Sequence, residues 1–314
     1  GQWAVIVGNG YNSDNGKAVL YILFITGGEN GSWTLGTDYI KLVANAGTGN
    51  GLSTPMPFDS NGNGKVDVIY AGDIKGNLWK FDVSSTTPSS WNVAISGLPL
   101  FTSGATKPII APPAVSLHPK GGQLVLFGTG KYLETGDTTN TAAQTIYAVW
   151  DNATTATVAA GNLVQQVLTD TTIRTATQNA VTYSTTIKGW YLNLPISGER
   201  ISGAPGLEDG LFTFTTIVPS ASPCDFGGRG FVNTIDFLTG SMLPFPAFDI
   251  NRNRTIGYDD GLSAGIEIGF SPGGVTRIRG AADDVLIAPL GDGTLVQTTA
   301  TKGLAGLRGR ITWH

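Results

Sequence analysis

Asp59, Asn61, Asn63 and Asp67 stand at positions 1, 3, 5 and 9 of the stretch Asp59-Ser60-Asn61-Gly62-Asn63-Gly64-Lys65-Val66-Asp67. This is the spacing with which an EF-hand-type loop presents oxygens to Ca2+, and Gly64 and Val66 fill its sharp-turn and apolar positions. The ion takes about six to eight oxygen ligands. The stretch offers the side chains of Asp59, Asn61, Asn63 and Asp67 together with the main-chain carbonyl of Lys65. Position 12, where a helical EF-hand carries a bidentate Glu, is Tyr70. With that ligand missing and only two carboxylates present, the expected affinity is that of extracellular modules, ~10⁻⁴–10⁻³ M. The plain alternative is an Asn/Gly-rich turn that binds nothing, but it gives no reason for the donors to alternate.

A second stretch echoes the first: Asp249, Asn251, Asn253 and Thr255 repeat the early spacing, followed by Gly257, Asp259 and Asp260. Arg254 takes the place of the turn glycine, Gly257 removes the position 9 side chain, and Arg252 adds further positive charge. This reads as a degenerate loop that holds its shape without metal. Asp259 or Asp260 could still supply a late ligand.

Other chemical patterns lead nowhere. Gly261-Leu262-Ser263-Ala264-Gly265 matches a nucleophile elbow, yet that chemistry needs a strand-to-helix turn and a general-base histidine. The histidines are His118, in a Pro-flanked loop, and His314. Gly128-Thr129-Gly130-Lys131 resembles a phosphate loop, but Val125 replaces its first Gly and Tyr132 its Ser/Thr, so it reads as a turn. One Cys and two His disfavour zinc and redox-metal sites. Cys224 reads as an isolated loop thiol. Arg229-Gly230, Arg279-Gly280 and Arg308-Gly309 each lack the Asp of an Arg-Gly-Asp motif.

The elements that must hold such a loop are strands. Charged residues are 13% of the 314 and Gly numbers 44, the composition of short strands joined by turns and not of helices. Val68 to Asp82 reads as strand, tight turn, strand directly after the first loop. Similar units occur at Val5–Gly10 and Val19–Leu23, Val125–Gly130 and Ile146–Trp150, Gly189–Leu194, Leu211–Phe214, Phe231–Phe237, and Val285–Ala288 with Thr294–Val296. Blades of four strands occupy ~40–45 residues, so the expected fold is all-β, a modified β-propeller of about seven divergent blades with loop insertions. A β-sandwich pair would give similar strand counts. Residues 1–314 are expected to form one propeller domain, the C-terminal part of a longer protein, since the chain opens on a strand without signal-sequence features. Residues 151–186 are expected to be an inter-blade insertion in which Leu163, Val164, Val167 and Leu168 form a short helical face.

Net charge is −4 and no Lys/Arg run occurs, so nucleic acid is not an expected partner. The apolar run Ala18–Ile25 is short of the ~20 residues of a membrane helix, so no spanning segment is expected.

Ala71-Gly72-Asp73-Ile74-Lys75-Gly76-Asn77-Leu78-Trp79-Lys80-Phe81-Asp82 resembles the hairpin that follows the calcium loop in the C-terminal domain of PilY1/PilC-type pilus biogenesis proteins. The order of further landmarks is similar: Gly8–Ser13, Gly128–Leu133, Gly189–Leu192 with Gly198-Glu199-Arg200, Pro219–Cys224, and the closing Gly309–Trp313. The resemblance implies a modified propeller without enzymatic activity. It also implies a calcium loop, carried over onto Asp59, Asn61, Asn63, Lys65 and Asp67, that tunes type IV pilus extension against retraction. The third position of that loop is often Asp in the family; Asn61 here removes a negative charge. The implied partners are pilins or minor pilins and a host or surface receptor. The implied location is secreted, at the bacterial outer-membrane surface or pilus tip, with adhesion and twitching motility as outputs. Two alternatives stay open: a quinoprotein dehydrogenase-like propeller enzyme, and an unrelated ligand-binding propeller.

Overall fold

Strands and short 3-10 turns make up the regular structure of the computed structural model, which describes residues 2–45, 47–222 and 228–303, with no α-helix among them. Cys224 and the closing Gly309–Trp313 landmark lie outside the described residues. The chain divides into two compact units, Gly1–Val125 with Asp151–Ala160, and Leu126–Trp150 with Gly161–His314.

In the first unit, Ala4–Gly8, Ala18–Phe24 and Tyr39–Asn45 form an antiparallel meander. Alternation fixes its faces: Ala18, Leu20, Ile22 and Phe24 turn inward with Ile40 and Leu42, against Ile69, Ala71, Trp79 and Phe81 of the next sheet. That next sheet runs Met56–Phe58, Val68–Gly72, Asn77–Asp82, Asn92–Val93, with Phe101–Thr102 also on Asn77–Asp82. Val68–Gly72 is buried at every residue, as expected of a strand covered on both faces.

The turn joining Val68–Gly72 to Asn77–Asp82 is built on Asp73. Its fully buried carboxylate accepts from the Lys75 and Asn77 amides at 2.9 and 2.8 Å. It also accepts from Asn50 Nδ2 and Asn77 Nδ2 at 2.9 Å and from Trp79 Nε1 at 2.8 Å. Gly76 sits at φ +80°, and a Cβ there would come within 2.3 Å of the Gly104 carbonyl, so glycine is required. Opposite one another on the same hairpin, Tyr70 and Lys80 both reach Asp151: the Tyr70 hydroxyl donates to Oδ2 at 2.6 Å and Lys80 Nζ pairs with it at 2.6 Å. Burial and the Asp151 charge raise the Tyr70 hydroxyl well above its ordinary pKa, which keeps it a donor.

In the second unit, Leu163–Val167 runs parallel to Gly189–Asn193, which pairs antiparallel with Thr145–Asp151. A larger sheet orders Ile173–Arg174, Gly265–Phe270, Gly228–Asp236, Leu211–Pro219 and Arg200–Ile201, with Gly206–Glu208 also on Leu211–Pro219. A three-stranded sheet of Thr276–Ile278, Asp284–Pro289 and Leu295–Ala300 contributes Leu286, Ala288 and Ala300 to a core with Leu211, Val232, Leu243 and Phe248. Within the larger sheet lies a buried ion pair: Arg174 grips Glu199 through two bonds of 2.7 and 2.9 Å, and Thr216 donates to the same carboxylate at 2.6 Å. The guanidinium rests 3.3 Å from the ring centre of Phe231.

One expectation changes. The Leu163–Leu168 stretch is not a helical face: Leu163–Val167 is a strand and Ile173–Arg174 a second one, so parts of the 151–186 segment are integrated into sheets. Gln166 lies on the same strand face as Val164, and its fully buried amide donates to the carbonyls of Asn179 and Thr239 at 2.8 Å. A polar residue in the core hides the period-2 pattern from a sequence reading. The described residues form five sheets. Much chain is spent on nine-residue strands such as Leu211–Pro219 and Gly228–Asp236, and on the long connection from 237 to 264.

Candidate metal centre

The first loop is the connection of a hairpin. Phe58 pairs with Val68 and the Asp67 amide donates to the Phe58 carbonyl at 3.0 Å, so both ends of the loop are fixed by strand pairing. Between them residues 61–65 are exposed. Asp59 organises the turn from within. Its Oδ1 accepts from the amides of Asn61, Gly62 and Asn63 at 3.2, 2.7 and 3.2 Å, and its Oδ2 from Gly64 at 2.7 Å. Burial alone would raise this carboxyl, but the four amides hold it below its ordinary pKa.

The other donors follow the same inward course. Asn61 Oδ1 accepts from the Asn63 amide at 3.1 Å, and Asn63 Oδ1 from the Lys65 amide at 2.9 Å. Asp67 closes the ring: its Oδ2 accepts from the Ser60 amide at 2.9 Å, the Ser60 hydroxyl at 2.7 Å and Asn61 Nδ2 at 3.0 Å. Gly62 and Gly64 adopt φ of +76° and +81°, a conformation open to glycine at little cost. Four of the five predicted donors are thus drawn into one network; Lys65 enters it through its amide. No group of three or more His, Cys, Asp and Glu placed for a metal occurs among the described residues. The loop accordingly offers two carboxylates plus amide and carbonyl oxygens, an all-oxygen set of the kind a hard cation takes and zinc does not.

The second loop repeats part of this skeleton. The Asn253 and Arg254 amides donate to Asp249 at 3.0 and 2.6 Å, Asn253 to Asn251 Oδ1 at 3.0 Å, and Thr255 to Asn253 Oδ1 at 2.9 Å. Arg252 and Arg254 occupy the two left-handed positions, at φ +60° and +71°, which costs a non-glycine residue roughly 1–2 kcal/mol each. The late acids are what sequence spacing could not assign. Asp260 ends the turn Tyr258–Asp260 and accepts from the amides of Ile250, Asn251 and Gly257 at 2.8, 3.2 and 2.8 Å, while Asp259 accepts from Asn251 Nδ2 at 2.6 Å. A carboxylate at position 12 therefore satisfies the loop's own amides. Tyr70, its counterpart in the first loop, points its hydroxyl to Asp151 instead.

The rejected motifs stay rejected on geometry. Ser263 is buried and leads into the strand Gly265–Phe270, without a helix. Lys131 is paired with Glu134 and Asp137 at 3.0 and 3.1 Å.

Comparison with known proteins gives one answer. The PilY1 beta-propeller domain family matches residues 1–186. The type IV pilus biogenesis factor PilY1 of Pseudomonas aeruginosa strain PAO1 is 35% identical over 306 residues, covering 82% of this chain and 26% of that protein. A PilY1 homolog of Xylella fastidiosa is 32% identical over 269 residues, covering 76% of this chain and 18% of that one. The crystal structure of the P. aeruginosa PilY1 C-terminal domain superposes with a TM-score of 0.78 at 30% identity, covering 96% of this chain and 70% of that structure. The chain thus spans about a quarter or less of the length of these full-length relatives. By sequence and by fold, the chain belongs to the PilY1 beta-propeller domain family of type IV pilus biogenesis factors.

Proposed function

We propose that this domain is a non-enzymatic, calcium-binding part of a pilus biogenesis factor, in which the cation state of the 59–67 loop biases pilus extension against retraction. The observation that carries the reading is the convergence of Asp59, Asn61, Asn63 and Asp67 on one loop whose ends are fixed by strand pairing. When bound, Ca2+ supplies positive charge that cross-links the Asp59 and Asp67 carboxylates with the Asn61, Asn63 and Lys65 oxygens. The chain's part is mechanical. The buried Val68–Gly72 strand gives the loop a rigid base, so a change in cation state is confined to the exposed residues 61–65 and alters the surface they present.

The partners proposed for that surface are pilins or minor pilins, with a host or surface receptor for adhesion and twitching motility, at the outer-membrane surface or pilus tip of a secreted protein. The relatives' identity as type IV pilus biogenesis factors supports this reading over a quinoprotein dehydrogenase-like enzyme or an unrelated ligand-binding propeller. Residues 1–314 are taken as one propeller domain on the breadth of the structural likeness. For the loop at Asp249, Asn251, Asn253, Thr255, Asp259 and Asp260 we propose a metal-free role, since Arg252 and Arg254 bring positive charge to it and Gly257 supplies no side-chain oxygen at its ninth position.

The test is cellular. In bacteria whose own factor carries Asp67→Ala in this loop, surface pili and twitching zones should become insensitive to added Ca2+ or chelator, while the wild type responds. Equal responses in both strains would sink the proposal.

A further inference from the structure

Asn61-Gly62 and Asn63-Gly64 are two of six Asn-Gly pairs in the chain, the others being at Asn9, Asn15, Asn30 and Asn50. Such pairs are the sequence most open to spontaneous succinimide formation, because glycine leaves the following amide nitrogen unhindered. The nitrogen loses its proton and attacks the asparagine Cγ. A new N–C bond forms, the Cγ–Nδ2 bond breaks and ammonia leaves. Water then opens the ring at either carbonyl to give aspartate or isoaspartate, so the net reaction is amide plus water to carboxylate plus ammonium, without any redox partner.

In the 59–67 loop both attacking nitrogens are held by one side chain. Gly62 N donates to Asp59 Oδ1 and Gly64 N to Asp59 Oδ2, each at 2.7 Å. The electrophilic amides are held as well: Asn61 by the Asn63 amide and Asp67, and Asn63 by the Lys65 amide. The remaining Asn-Gly nitrogens have other acceptors. Gly10 bonds the Leu52 carbonyl, Gly16 the Ser13 carbonyl and Gly31 the Gly28 carbonyl, each neutral, and Gly51 bonds the Asn50 side chain. In the second loop Arg252 and Arg254 follow the asparagines, Asp249 holds the Arg254 amide, and the arginine side chains hinder ring closure.

We propose that Asn61 and Asn63 are latent deamidation sites and that the Asp59 carboxylate is the lock that keeps them amides. Release of the lock adds a negative charge at position 3 or 5 of the loop or, through isoaspartate, an extra backbone carbon that breaks the donor register. The lock acts on the chain alone and is independent of any metal.

The test is peptide mapping by mass spectrometry of the purified 314-residue chain, in metal-free buffer held at mildly alkaline pH. Asp59→Ala should deamidate about tenfold faster or more at Asn61 and Asn63 than the wild type, since hydrogen bonds to a charged acceptor are lost. Asn15, Asn30, Asn251 and Asn253 should keep their wild-type rates. Unchanged rates at 61 and 63, or a rise shared by all these sites, would overturn the lock. A measurement without any variant decides independently. A synthetic peptide of residues 56–70 should deamidate at both positions well ahead of the folded wild-type chain, and equal rates would overturn the proposal.

Discussion

His118 shows how the surroundings of a residue can set its charge. Burial, with the positive charge of Lys120 beside it, lowers its pKa from the model-peptide 6.5 to about 4, and its Nδ1 accepts the Lys120 amide at 3.1 Å. The folded state therefore favours the neutral ring. Between these two values the unfolded chain binds a proton that the folded chain does not, so stability is full above about pH 6.5 and declines as pH falls toward 4. Thermal melts of the wild type should show Tm falling across that window, with part of the slope removed in His118→Asn; identical slopes would contradict the assignment. At this scale the turn of the first loop was legible, because the Asp/Asn spacing that shapes it is written in consecutive residues. The roles of Asp259 and Asp260 were not. Their partners are amides eight to ten residues earlier, brought back by a 3-10 turn that no side-chain pattern announces.

The hairpin after the 59–67 loop was also legible, since alternation, the Gly76 turn and Asp73 all point the same way. The strand at Leu163–Val167 was not, because its inward position is the polar Gln166, satisfied by carbonyls from distant segments. The Arg174–Glu199 pair was equally hidden: a two-residue strand carries the arginine, and a landmark turn after Leu194 carries its partner. Removing one member leaves the other as a buried charge without compensation. Glu199→Ala should therefore destabilise the domain by about 3–5 kcal/mol in urea unfolding, with Glu199→Gln costing less because Thr216 and Arg174 keep an acceptor. A loss for Glu199→Ala within about 0.5 kcal/mol would show that the pair contributes little.

For the whole molecule, composition and strand cadence were enough for the all-β class, and the ordered landmarks were enough for the family. The distribution of chain among the elements was beyond reach, because length is spent unevenly on nine-residue strands and the long 237–264 connection. The two Asx-rich loops show the same limit from the other side. Nearly the same backbone is reached with glycines in one and arginines in the other, so loop shape is not evidence of a cation, and donor chemistry has to be tested directly. The decisive measurement is calorimetric titration of the chain with Ca2+, alongside Asp67→Ala and Asp260→Ala. The account predicts one saturable site in the wild type at roughly 10⁻⁴–10⁻³ M, abolished by Asp67→Ala and retained in Asp260→Ala. Indistinguishable titrations of the wild type and Asp67→Ala would contradict it.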